Sequence, residues 1–230
     1  TAHHQINEDR AYLSGVLHGD GYCTELSIGL RVADQDFAIA FAAAFNRVYG
    51  ASLSPRSDGP YWVVRTSNKR GVYSDLRDYQ PQDNNEKAAW VRGMFDSEGN
   101  AQMRRHSPTS NSYWRRVAMY STNTTTLATT QQYLSELGIP TRFFATKNSK
   151  GHLGALTVYG LEVRGSRTNY ARFAEVIGSN IYRKHEVLQA IPLSYRPDVS
   201  QHARDAQRLG AQTAHHQINE DRAYLSGVLH

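Results

Sequence analysis

The chain has 230 residues, 40% of them hydrophobic and 20% charged, with 26 Lys and Arg against 21 Asp and Glu and a net charge of +5 at pH 7. That length buries a substantial core as one or two domains, and the basic balance suits a polyanionic partner. A single cysteine, Cys23, excludes an intramolecular disulfide framework and fits a reducing interior. No apolar run reaches membrane-spanning length and the polar start lacks a signal-peptide pattern, so the expectation is a soluble, intracellular protein with no membrane partner.

In chain order, NEDRAYLSGVLHGDG (residues 7–21) opens as a helix, with Asn7 as N-cap, Glu8 in the first turn and Gly21 just past the last. TELSIGLRVAD alternates as a strand, and QDFAIAFAAAFNRVYG is an apolar-rich helix ending at Gly50. YWVVRTS is a further strand and KRGVYSDLRDY a short helix. YQPQDNN, containing Pro81, links this half to the next. NEKAAWVRGMFDSEG (85–99) is again a helix, with Asn85 as N-cap, Glu86 in its first turn and Gly99 at its end. YWRRVAMYST follows as a strand, TTTLATTQQYLSELGIP as a helix stopped by Gly138 and Pro140, TRFFATK and HLGALTVYGLEVRG as strands, and TNYARFAEVIG as a helix.

The two motif helices are copies of one pattern at a constant offset of 78 residues. They agree at Asn7/Asn85, Glu8/Glu86, Ala11/Ala89, Gly15/Gly93 and Gly21/Gly99, and keep residue type at most other pairs, including Asp20/Glu98. A divergent internal repeat fixes the architecture. The helices ending at Gly50 and Gly138 are offset by 88, which implies about ten extra residues, and a longer hairpin, after the second motif.

Small residues recur four apart, Gly15 with Gly19 and Gly93 with Ser97, so each helix has a face that lets another backbone come close. Packing those faces together brings the two C-terminal ends, with Asp20 and Glu98, to one place. Two carboxylates there repel each other and both negative helix ends unless a cation fills the gap. Oxygen-only ligation suits Mg²⁺, which can stabilise the leaving oxygen in phosphodiester hydrolysis. An acid and glycine at one helix end is ordinarily a solvated cap; recurrence in register sets this pair apart.

These two segments resemble the motifs of the LAGLIDADG family of homing endonucleases and RNA maturases, in its single-chain, two-motif form, with weaker similarity over roughly residues 7–192. The departures are His18 and Asp96 at the sixth motif position, and Gly19 and Ser97 at the seventh. The fold expected is α+β, a pseudo-two-fold pair of αββαββα repeats with a central motif-helix pair and antiparallel sheets forming a DNA-binding saddle. The divisions expected are a first half (1–80), a linker (81–85), a second half (86–192), a C-terminal extension (193–212) and a last segment (213–230).

By the resemblance, Asp20 and Glu98 are the metal-binding catalytic acids, the Gly19 and Ser97 carbonyls are secondary ligands, and the cofactor is Mg²⁺ with Mn²⁺ as a plausible substitute. A basic residue near the metal is also implied; Lys69 is the candidate, with Arg164 or Arg167 as its counterpart. The basic residues of the strands and hairpins, Arg31, Arg65, Arg70, Arg104, Arg105, Arg115, Arg116, Arg142, Lys147, Lys150 and Arg164, are the DNA-binding candidates. Strand alternation puts Arg115 and Arg116 on opposite faces, so at most one of the two points at DNA. Trp62 and Trp114 are expected as core or sheet supports. Ser27, Thr66 and Tyr120 are polar strand residues that join the contact set.

His3, His4 and His18 lack metal-ligand spacing; His18 and Asp96, each two residues before an acid, are expected to face solvent or pack between helices ahead of taking part in the active site. Residues 213–230 repeat residues 1–18 identically and stop before Gly19-Asp20-Gly21, so they supply no third acid. They fit an added segment or an open reading frame that re-enters its own start, ahead of a regulatory or domain-swapping element.

The function expected is that of an intron- or intein-associated, site-specific double-strand DNA endonuclease, a monomer on a long asymmetric target, hydrolysing phosphodiesters with a metal-activated water. The alternatives are an RNA maturase acting on intron RNA and a DNA-binding regulator that does not cut.

Overall fold

The structure, a computed structural model, describes residues 2–24, 26–67, 71–110, 112–146 and 157–195. The chain divides into two units, Thr1–Ser194 and Tyr195–His230. The expectations for residues 195–212 and 213–230 fall on the second unit, which lies outside the described residues except for Tyr195.

The first unit repeats one order of elements twice. Its first half is α1 (Ala2–Leu17), β1 (Gly21–Cys23), β2 (Ser27–Val32), α2 (Gln35–Tyr49), β3 (Arg56–Asp58), β4 (Tyr61–Ser67) and α3 (Val72–Arg77). Its second half is α4 (Asn84–Glu98), β5 (Gly99–Arg105), β6 (Tyr113–Ser121), α5 (Thr124–Glu136), β7 (Thr141–Ala145), β8 (Tyr159–Val163) and α6 (Arg167–Val176), followed by α7 (Tyr182–Leu193). Each half is thus αββαββα, the α+β architecture expected, and α7 is an addition. The strands form two four-stranded antiparallel sheets of matching order, β1-β2-β4-β3 and β5-β6-β8-β7.

Alternation sets which side of each sheet is dry. Ile28, Leu30 and Val64 of the first sheet, and Val117, Met119, Leu161 and Val163 of the second, are buried against helices. In α2, Phe37, Phe41 and Phe45 recur at helical spacing on its buried face. The chain leaves α2 and α5 through Gly50 (φ 60°) and Gly138 (φ 72°), left-handed stops that glycine adopts without steric cost. The second hairpin is the longer one: β5 pairs with β6 from Gly99↔Met119 to Arg105↔Tyr113, whereas β1 pairs with β2 only from Gly21↔Leu30 to Cys23↔Ile28.

The motif helices form the centre. A Cβ on Gly15 would lie 2.0 Å from the Trp90 carbonyl oxygen, and one on Gly93 would lie 2.2 Å from that of Tyr12. Tyr12 and Trp90 are partners in the 78-residue repeat, so the two close approaches are pseudo-symmetric images. Further on, a Cβ on Gly19 would lie 2.4 Å from the Ser97 Cβ, so the small faces meet along their whole length. The same pseudo-symmetry appears in the side chains. The Tyr12 hydroxyl donates to Asp96 Oδ2 (3.1 Å), and Trp90, the counterpart of Tyr12, packs its ring on His18, the counterpart of Asp96, with centroids 5.4 Å apart.

The helix ends correct the sequence reading. α1 already runs from Ala2, so Asn7 and Glu8 lie inside it. The N-cap of α4 is Asp83, whose carboxylate accepts from the backbone N–H groups of Asn85 and Glu86. Asn85 is therefore a first-turn residue whose side chain bonds His4 across to α1. Gly99 closes α4 in extended conformation (φ −87°, ψ 152°), and what demands glycine there is space, since a Cβ would lie 2.3 Å from the Phe95 carbonyl oxygen. Among the described residues, no helix is long and apolar enough to cross a membrane.

Candidate active site at the motif-helix ends

Asp20 sits in the turn after α1, and Glu98 is the last residue of α4. The contact of Gly19 with Ser97 and Glu98, where a Cβ would lie 3.2 Å from Glu98 Cγ, places the two acids at one end of the helix pair. Burial raises the pKa of Asp20, against the opposing pull of Lys184. Burial, then the charge of Asp20, pushes Glu98 up to about 7, with Lys184 again opposing. The charge of Asp20 makes Glu98 harder to ionise, which is the electrostatic signature of a site short of positive charge.

Asp96, two residues earlier, is a different kind of acid. It is 1% exposed and accepts from Tyr12, from Ser179 Oγ (2.5 Å), and from the backbone and side-chain nitrogens of Asn180. Burial raises its pKa while these donors and Lys184 lower it. It ties the chain before α7 to the motif helices. Asp96→Ala leaves the Tyr12 hydroxyl and the Asn180 N–H without their acceptor and should cost about 3 kcal/mol in urea denaturation. A loss under about 1 kcal/mol would contradict that role.

Lys184 is the cation the sequence reading missed. It is 5% exposed, and its ammonium donates to the carbonyls of Phe95 (2.9 Å) and Asp96 (2.7 Å) in the last turn of α4. Burial lowers its pKa to about 8, although Asp96, Asp34 and Asp20 pull it upward. With Asp20, Arg31, Tyr61 and Ser97 it lines a cavity of about 260 Å³. The lysine is placed by the other half of the molecule: Asp36 of α2 accepts from the Tyr182 N–H, and Asp34 forms a bidentate pair with Arg183. Lys69 lies outside the described residues. Its suggested counterparts are elsewhere: exposed Arg164 donates to the Thr141 carbonyl at the far end of β8, and Arg167 begins α6.

The open faces of the two sheets carry Arg31, Arg65, Arg104, Arg116 and Arg142 of the remaining candidates, while register puts Arg105 and Arg115 on the other side of the second sheet. On the first, register places Arg31, Arg56 and Arg65 on one side with Tyr61 and Asp58. Arg31 pairs with Asp58 (2.9 Å) and stacks 3.9 Å above the Tyr61 ring. Arg65 is exposed beside Ser27 and Tyr22, around an open cavity of about 770 Å³. Arg56 escaped the sequence reading because β3, three residues long, left no alternation to count.

On the second face, Arg104, Trp114, Arg116, Tyr120 and Arg142 line up by register. Glu162 stands among them, bonding Arg142 (2.9 Å) and lying 3.7 Å from Arg116. Trp114 is 39% exposed there, with the Arg116 guanidinium 6.0 Å from its ring, so it is a surface aromatic. Trp62 is half-buried on the helix-facing side of β4, as a sheet support should be.

Arg115 does not join this set. It points to the helix side, where it bonds the side chain and carbonyl of Ser194 at the end of α7 and the Tyr113 carbonyl. That is a correction to its place among the DNA-binding candidates, and alternation had allowed only one of Arg115 and Arg116. Arg105 is exposed and bonds the Tyr113 hydroxyl. Thr66 lies on the helix-facing side of β4, while Ser27 lies on the open face. Arg70, Lys147 and Lys150 lie outside the described residues.

No group of three or more metal-ligating side chains occurs among the described residues. The two carboxylates that meet there are oxygen donors, which fit Mg²⁺ or Mn²⁺ completed by water and phosphate oxygens.

Two pseudo-symmetric halves of mixed α and β structure thus carry one acid each at the ends of paired, glycine-faced helices. Residues 85–178 match the LAGLIDADG-like domain family. Across both motifs the chain has the fold of I-DmoI, a homing endonuclease: mesophilic variants of that protein match with a TM-score of 0.56 and 16% identity, covering 76% of this chain and 98% of theirs. I-DmoI in complex with DNA and Mn matches at 0.55 and 16%, covering 75% and 97%. The N-terminal LAGLIDADG domain of DUF199/WhiA matches at 0.55 and 16%, covering 75% and 83%. No curated protein matches the sequence.

Proposed function

We propose that the chain is a site-specific double-strand DNA endonuclease of the intron- or intein-associated kind, working as a monomer on a long asymmetric target. The observation that carries this reading is the meeting of exposed Asp20 and half-buried Glu98 at one end of the glycine-faced helix pair. A binding protein gains nothing from gathering two carboxylates at the helix ends, where the charge of one raises the pKa of the other, whereas a hydrolase of a charged diester does. Divalent cations recur in the I-DmoI structures, which hold DNA with Mn, Mg or Ca.

Asp20 and Glu98 would hold Mg²⁺, or Mn²⁺ in its place, with the Gly19 and Ser97 carbonyls as further donors. When bound, the ion supplies Lewis-acid stabilisation of the oxygens at the scissile phosphate and a more acidic water. The protein's own residues bind and orient the duplex. Arg56 and Arg65 on one sheet, and Arg104 and Arg142 on the other, face outward to phosphates and base edges. Arg31, at the rim of the acid cavity, bridges the two tasks.

Incubating a cloned, intron-free insertion locus with the protein and Mg²⁺ should give double-strand cutting that EDTA abolishes. Tight duplex binding without cutting on a confirmed target would leave a DNA-binding regulator, and preference for folded intron RNA a maturase. Contact roles are separable by salt. Arg65→Ala should weaken duplex binding and reduce the slope of log K against log salt by about one. Arg115→Ala should lower the melting temperature and leave that slope alone; the reverse pattern would move the interface to the other face of the sheet.

A further inference from the structure

Among the described residues, the acid pair has a buried cation on the side of the second motif helix, Lys184. Lys184 sits under the last turn of α4 with its ammonium on the Phe95 and Asp96 carbonyls, and it lines the cavity of Asp20. The repeat counterparts of those two residues are Leu17 and His18. Among the described residues no cationic side chain bonds their carbonyls; His18 instead borders an open cavity of about 410 Å³ lined by Tyr73, Tyr79 and Tyr133. Helix α7, which supplies Lys184, has no counterpart in the first half among the described residues. An ammonium held off water at this place is costly unless something there returns the energy. Its two carbonyl partners explain how it is tolerated, and the neighbouring acids explain what it offsets.

We propose that Lys184 is a positioning residue for the cation site: it fixes the turn that carries Glu98 and offsets part of the charge of Asp20 and Glu98, so the pair takes divalent ions more weakly than its carboxylates alone would. The inference rests on the reading of Asp20 and Glu98 as a cation site.

The test is Mn²⁺ titration of the full chain followed by electron paramagnetic resonance, with melting curves to certify folding. Lys184→Gln keeps a donor for the carbonyls and removes the charge, Lys184→Met removes both, and Lys184→Arg keeps the charge. The expected result is Mn²⁺ binding about fivefold tighter in Lys184→Gln, and in Lys184→Met if it folds, with Lys184→Arg near wild type. Adding Asp20→Asn should erase that gain. Unchanged or weaker binding in folded Lys184→Gln, while wild-type binding still depends on Asp20, would overturn the role of Lys184 alone. Wild-type binding indifferent to both Asp20→Asn and Glu98→Gln would overturn the cation site as well.

Discussion

Gly15→Ala and Gly93→Ala are each expected to cost more than about 3 kcal/mol, a large share of the roughly 5–15 kcal/mol that holds a domain of this kind folded. The new methyl would sit 2.0 Å from the Trp90 carbonyl oxygen in one case and 2.2 Å from that of Tyr12 in the other, where ordinary contact begins near 3.4 Å. The obstacle is helix backbone, which cannot rotate aside as a side chain can. The helices must part instead, and Leu13, Val16, Val91, Met94 and Phe95, all completely buried, lose packing on both sides. Urea denaturation of the two variants checks this, with Gly165→Ala as the control. There the nearest atom is the Tyr170 hydroxyl oxygen at 3.4 Å, and a change within about 0.5 kcal/mol is expected. Wild-type stability in Gly15→Ala would contradict the helix register described above.

The second large effect concerns the acids, and it runs in opposite directions for activity and stability. Asp20→Asn and Glu98→Gln are each expected to abolish cutting, since neither amide can supply the anionic oxygen a divalent ion needs. The same changes should leave the metal-free fold intact or firmer. Folded Glu98 keeps its proton to about pH 7, while the unfolded chain loses it near 4.5. Between those values the folded state binds more protons, so stability falls as pH rises through that window and levels off above it. Glu98→Gln should flatten this part of the stability–pH curve, and Mn²⁺ should restore wild-type stability most at the high-pH end. A wild-type curve that rises from pH 4.5 to 7 for reasons traceable to Glu98 would contradict the burial described for it.

The pattern of what was legible in the sequence has a physical reason. The motif helices could be read because close helix packing demands glycine at fixed spacing, and the 78-residue repeat displayed that demand twice, at Gly15 and Gly93. The acids came with the motif. Strands β2, β4 and β6 could be read from alternation, but β1 and β3, three residues each, are held by their neighbours and carry no periodic signal of their own.

Helix α7 was missed because its start lacks a local cap. Ile181 occupies the N-cap position without a side-chain bond, and Asp36, distant in sequence, receives the Tyr182 N–H. Lys184 was hidden for the same reason, since its partners are backbone carbonyls some ninety residues earlier, a contact no spacing rule reveals. The Asn7 cap failed because the helix simply continues toward Ala2, and Asp83 outcompeted Asn85 by reaching two N–H groups at once.

The second half also shows how a duplicated scaffold becomes asymmetric. Glu162 occupies the place on β8 that Arg65 takes on β4, opposite Ala118 and Gly29 respectively. It binds Arg142 and approaches Arg116, so part of the positive charge of the second sheet is already offset. On the asymmetric duplex proposed above, such differences would let the two halves make different contacts. They arise here from single side chains on a shared frame.

The most direct test of the central claim is cleavage of a confirmed target duplex by wild type, Asp20→Asn and Glu98→Gln, with binding measured in parallel in Ca²⁺. Double-strand cutting by wild type in Mg²⁺, lost in both variants while each still binds the duplex, is the result expected. Cutting that survives both substitutions, or no cutting by a wild-type protein that binds the same target tightly, would contradict it.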